Sequence, residues 1–115
     1  MTVRRMKTYT GGQGYVYQYY FVGKREAGSS TEYIFDVTSD RKSTYAVSVF
    51  LPSQSLTKWS SDHHRTLTDA EQYAAVKMRL FQAFDELEDM MASGRQLSVD
   101  SATLQHLLTT LGVEN

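Results

Sequence analysis

Asp62-His63-His64 is the one local run of metal-ligand side-chain types in the chain. Imidazole and carboxylate are metal ligands, so the chemistry such a run could serve is that of a metal-dependent enzyme. Adjacent side chains diverge, however, so such a site would need further ligands from elsewhere in the sequence. No His-Glu-x-x-His or Glu-x-x-His spacing occurs on the main helical segment, so zinc-protease and di-iron chemistry lack their frame. A metal-dependent enzyme around Asp62, His63 and His64 is therefore the most distant of three functional expectations.

Other chemistries are excluded more firmly. The chain has no cysteine, which removes disulfides, thiolate zinc sites, iron–sulfur clusters and cysteine nucleophiles together. No serine sits in a Gly-x-Ser-x-Gly elbow. Gly11-Gly12-Gln13-Gly14 has the composition of a phosphate cradle, but such loops follow a strand and open a helix, and here a strand follows. No cofactor and no catalytic residue is expected, and the chain leans away from being an enzyme.

Two constellations suit binding instead. Tyr17, Tyr19 and Tyr20 stand in a segment dense with aromatic residues, with Arg25, Lys42 and Phe50 nearby in the expected sheet. Aromatic rings on a sheet flanked by cations stack single-stranded bases and hold their phosphates. The same tyrosines equally serve core packing and protein interfaces. Asp85, Glu86, Glu88 and Asp89 put four carboxylates near the expected C-terminal end of the main helix, where the dipole disfavours negative charge. Arg95 or the basic strand loops are the expected offset, within the fold or from a neighbouring subunit.

These residues must be positioned by an α+β fold, a three-stranded antiparallel β-meander followed by a long amphipathic helix and a shorter C-terminal helix. Tyr15 to Val22 reads as the first strand, since aromatic and β-branched residues suit a pleated surface. Gly23 to Ser30 reads as a loop. Thr31 to Thr38 alternates, with Tyr33, Phe35 and Val37 on one face and Glu32, Ile34 and Asp36 on the other. Ser39-Asp40-Arg41-Lys42 supplies a tight turn, and Tyr45, Val47, Val49 and Leu51 line one face of the third strand.

Pro52 ends that strand, and Ser53 is positioned to cap a short helix carrying Leu56 and Trp59. Thr68-Asp69-Ala70-Glu71 matches a capping box, and the pattern predicts a helix from there to about Ala92, closed by Gly94 in the left-handed region. Leu104, Leu107, Leu108 and Leu111 form one stripe of a last helix that stops at Gly112. Residues 1–14 read as a basic, Gly-rich arm or edge strand, 15–112 as one domain and 113–115 as a tail.

With 115 residues, 41% hydrophobic and 22% charged, the chain is sized for one core, and the disordered and membrane classes are not supported. No apolar run approaches the roughly 18 residues that span a bilayer, and no signal-peptide pattern opens the chain, so a cytoplasmic address is expected. Residues 1–58 carry eight Lys/Arg against four Asp/Glu, and residues 59–115 carry four against nine, so the net charge of −1 hides two opposed halves. A three-stranded sheet has two faces, and one helix covers one of them. The second face is expected to be closed by the C-terminal helix or by a second copy. The first expectation is thus a non-enzymatic protein-interaction domain, partnered by itself as a homodimer or by another protein. A nucleic-acid-binding module is the second, and no membrane partner is expected.

Overall fold

The computed structural model describes residues 6–113. Five strands and four helices follow the order β1 (Lys7–Thr10), β2 (Val16–Ala27), β3 (Ser30–Thr38), β4 (Tyr45–Pro52), α1 (Ser53–His63), α2 (Asp69–Glu86), α3 (Met90–Ser93), β5 (Gln96–Ser98) and α4 (Ser101–Thr110). The sheet order is β1-β2-β3-β4-β5. The first four strands form an antiparallel meander, and β5 lies parallel to β4 at the far edge. The expected meander is thus the centre of a larger mixed sheet.

Local chemistry explains most element boundaries. Gly28, at φ 62°, lets β2 fold back on β3 in a turn of two residues, and Ala27 faces Ser30 across it. Because that turn is so tight, Lys24, Arg25 and Glu26 continue β2 instead of forming the loop that their polarity suggests. A bulge between Phe21 and Gly23 leaves Val22 without a partner and re-phases the strand. After β3, the Asp40 carboxylate accepts from the Lys42 and Ser43 amides at 2.8 Å each and closes the turn into β4.

Pro52 is the N-cap of α1, with no side-chain hydrogen bond, so Ser53 is a helical residue rather than the cap. The Thr68 hydroxyl accepts from the Glu71 amide and the Glu71 carboxylate accepts from the Thr68 amide, the capping box that the sequence predicts. Arg65 donates to both Glu71 carboxylate oxygens at 2.9 and 2.8 Å.

The helical stretch predicted to Ala92 breaks at Glu86. Leu87 adopts extended backbone, and a separate turn of helix, α3, follows with Asp89 as its cap. Gly94 has φ −116°, not a left-handed value. A Cβ there would stand 2.4 Å from Met90 Sδ, so the flexible end of that side chain would have to shift to admit one. β5, the strand missing from the sequence reading, is three residues long, too short to show alternation.

All four helices and one face of the sheet share a single core. Tyr33, Phe35, Val37, Val47, Val49 and Leu51 are closed over by Val76, Leu80, Phe84, Leu104 and Leu108. α4 packs on α1 and α2, so it joins the helix layer and does not cross to the other side of the sheet. Ser55 Oγ donates to the Val99 carbonyl at 2.9 Å and pins α1 to the chain leading into α4. The protein is a two-layer α+β domain, and the expectation that the last helix closes the second sheet face is overturned. Among the described residues no helix is long and apolar enough to cross a membrane.

Candidate functional site

Strand alternation decides which residues the uncovered face presents. Tyr17 and Tyr19 turn toward the helices and are buried, Tyr17 stacked on Phe84 with centroids 4.2 Å apart. Burial is the leading cause that raises both hydroxyl pKa values. Neither ring is available to stack on a base. Tyr20 and Phe50 turn the other way, and so does Arg25. Lys42 lies in the β3–β4 turn at the opposite end of the strands from Arg25. The six residues read from the sequence as one contact set are therefore divided among core, open face and turn.

The open face has an apolar centre with a polar surround. Val16 and Val22 are 45% and 47% exposed, and Tyr20, Ile34 and Phe50 are partly exposed between them. Gly23 faces Ile34, and Ile34 stands diagonally beside Phe50, so the bulged Val22 leads into an oblique apolar band across three strands. Gln18, Asp36, Ala46 and Ser48 flank that band. At its end the Glu32 carboxylate accepts from Ser48 Oγ at 2.6 Å and Arg25 Nε at 2.8 Å. Those two bonds hold the Glu32 carboxyl below its ordinary range, the Ser48 bond being the larger cause. Among the described strand residues of this face, Arg25 stands against two carboxylates, Glu32 and Asp36. These described strand residues carry no excess of positive charge on this face.

The acidic run and the glycine loop turn out to meet. Tyr9 Oη donates to both Asp85 carboxylate oxygens at 2.9 and 3.0 Å, and the Gly12 amide donates to Asp85 Oδ1 at 2.9 Å. Gln13 Nε2 donates to the Glu86 carbonyl at 3.0 Å. Asp85 is thus offset at the helix C-terminus by the β1–β2 hairpin, and not by Arg95, whose Nε donates to the Ala46 carbonyl. Asp89 is used as the α3 cap, accepting from the Ala92 amide at 3.1 Å. Glu86 and Glu88 remain exposed. Gly11 serves close approach to α2 and the Gly12 amide holds Asp85, which the sequence shows only as two adjacent glycines.

Asp62, His63 and His64 do not converge. Asp62 accepts from Lys58 at 3.0 Å, one helical turn back. His63 stacks on Trp59 with centroids 4.3 Å apart and its Nε2 lies 2.7 Å from Gln105 Oε1. His64 is the left-handed C-cap of α1, at φ 57°. Among the described residues no group of three or more metal-ligand side chains exists.

The fold and its open face define the class, a two-layer α+β domain in which no described helix covers one side of the sheet. Compared with known proteins, the chain matches no family model, no curated protein and no solved structure.

Proposed function

We propose that the protein is a non-enzymatic interaction domain that pairs with a second copy of itself through the open face of its sheet. The observation that carries this reading is the apolar band of Val22, Ile34 and Phe50, with Tyr20 and Val16 beside it, on a face that none of the described helices covers. An apolar centre within a polar surround is the usual anatomy of a protein interface.

Size and charge favour a second copy as the occupant. The face extends roughly 25 Å along its strands and about 20 Å across four of them at the usual strand spacing. Two such faces would bury about 1,000 Å² in total, the lower bound for a specific interface. Among the described strand residues, one cation and two carboxylates on each face produce little like-charge repulsion, and the Arg25–Glu32 pair already neutralises part of it. The expected dimer is weak, with a dissociation constant on the order of micromolar.

Sedimentation velocity from low micromolar to near-millimolar protein tests this reading. The mass is expected to rise toward twice 13.1 kDa with concentration, and Phe50→Glu and Ile34→Lys are each expected to hold it at the monomer value with the fold retained by circular dichroism. A monomer at every concentration, or a dimer indifferent to both substitutions, would overturn it.

A further inference from the structure

On the helix side, where β1 meets α2, lies a cavity of about 180 Å³ lined by Lys7, Tyr19, Tyr20, Phe21 and Tyr73. The groups around it are donors. Lys7 comes from the edge strand and Lys77 from α2, one turn beyond Tyr73. The Lys77 ammonium sits 5.8 Å from the Tyr73 ring centroid and 5.9 Å from that of Phe81. Lys24 adds a third positive charge, 5.7 Å above Tyr33, whose ring packs against Phe21 and Tyr73.

None of these lysines has a carboxylate partner among the described residues, where the ion pairs are Arg25–Glu32, Lys58–Asp62 and Arg65–Glu71. The hydroxyls of Tyr19 and Tyr73 likewise have no protein acceptor there, although Tyr19 is only 4% exposed. Lys7, Tyr19 and Tyr73 line the cavity and Lys77 stands beside Lys7 and over the Tyr73 ring, so two ammonium groups without a carboxylate partner among the described residues gather with two phenolic hydroxyls, the complement of an anion rich in acceptor oxygens.

We propose that Lys7, Lys77, Tyr19 and Tyr73 form a binding site for a phosphoryl dianion, either free phosphate or the head of a small phosphomonoester. The two ammonium groups face the charge, and the hydroxyls fill further acceptor positions. Phe21 and the Tyr73 ring offer an apolar wall to whatever the phosphoryl group is attached to. The cavity is below the usual size for a whole drug-sized ligand, so it fits the head group and leaves the remainder in solvent. Burial first, and then the adjacent Lys7 ammonium, hold Lys77 below the ordinary lysine range, and a bound anion would relieve both. Tyr20 borders both this cavity and the open sheet face, but Lys7, Lys77, Tyr19 and Tyr73 lie on the helix side, so the site does not depend on self-association.

Amide chemical shifts of the full chain, followed while titrating inorganic phosphate and, separately, phenyl phosphate against sodium chloride at matched ionic strength, test the proposal. Saturable shifts are expected at Lys7, at residues 19–21 and at Tyr73 and Lys77. Lys77→Met, which keeps an apolar stem over the two rings, is expected to weaken binding at least tenfold without lowering the melting temperature, and Tyr73→Phe severalfold. Tighter binding of phenyl phosphate would place its ring on the aromatic wall; equal binding would mean that the phosphoryl group alone is read. Either result supports the site. Shifts that fail to saturate, that sodium chloride reproduces, or that persist unchanged in a folded Lys77→Met variant would overturn it.

Discussion

Gly11→Ala should destabilise the protein far more than Gly12→Ala, although the two glycines are neighbours in the same hairpin. A Cβ on Gly11 would lie 2.5 Å from the Phe84 carbonyl oxygen and 3.2 Å from its carbon, both backbone atoms in the body of α2. A Cβ on Gly12 would meet nothing closer than 3.7 Å, an ordinary contact with Asp85. Restoring a 3.4 Å contact at Gly11 requires the hairpin to lift by about 0.9 Å. That lift would stretch the bond of 2.9 Å from the Gly12 amide to Asp85 beyond hydrogen-bonding distance and strain the two from Tyr9. Overpacking costs about 1–3 kcal/mol and each lost bond about 1 kcal/mol, so Gly11→Ala should lose roughly 2–4 kcal/mol. Gly12→Ala should lose about 1 kcal/mol or less. Urea denaturation followed by circular dichroism at constant slope reads both values. If the two variants unfold at the same midpoint, the clamp between hairpin and helix is not what these glycines serve.

Acid should act partly through Glu71. The Arg65 side-chain bond and then the Thr68 amide lower its carboxyl pKa to about 2. A depressed folded-state pKa contributes stability that is present above the unfolded value and lost as pH falls from there toward the folded one. Stability should therefore decline between about pH 4.5 and pH 2, and Glu71→Gln should flatten that decline when melting temperature is followed against pH. In the core, Leu104 is fully buried on α4 among α1, α2 and the sheet. Leu104→Ala should cost about 2–5 kcal/mol by chemical denaturation, and an effect below about 1 kcal/mol would mean that α4 does not share the main core.

Local chemistry made much of the architecture legible in the sequence. Alternation placed Tyr33, Phe35 and Val37 opposite Glu32, Ile34 and Asp36, because side chains on a strand have a period of two whatever the sheet packs against. Thr68 and Glu71 marked the start of α2, because a capping box is complete within four residues. The C-terminal stripe of leucines and the stop at Gly112, φ 77°, were visible for the same reason. Each of these depends on neighbours in the chain.

What required tertiary structure was every feature set by distant segments. Composition shows the first strand as apolar on both faces, and only the packing of α2 reveals that Tyr17 and Tyr19 are core while Tyr20 and Val22 are surface. The end of α2 at Glu86 is tied to a hairpin more than seventy residues earlier, through Asp85 and the Glu86 carbonyl. β5 exists because β4 offers it an edge, and three residues carry too little pattern to announce it. Lys7 comes beside Lys77 only after β1 is laid beside β2 and under α2, so the cavity that Lys7, Tyr19 and Tyr73 line has no signature in the sequence. The sequence by itself determined the three central strands, the Thr68 capping box and the composition of each face. The three-dimensional packing decided which face is covered, because burial is a property of the whole assembled layer rather than of any strand within it.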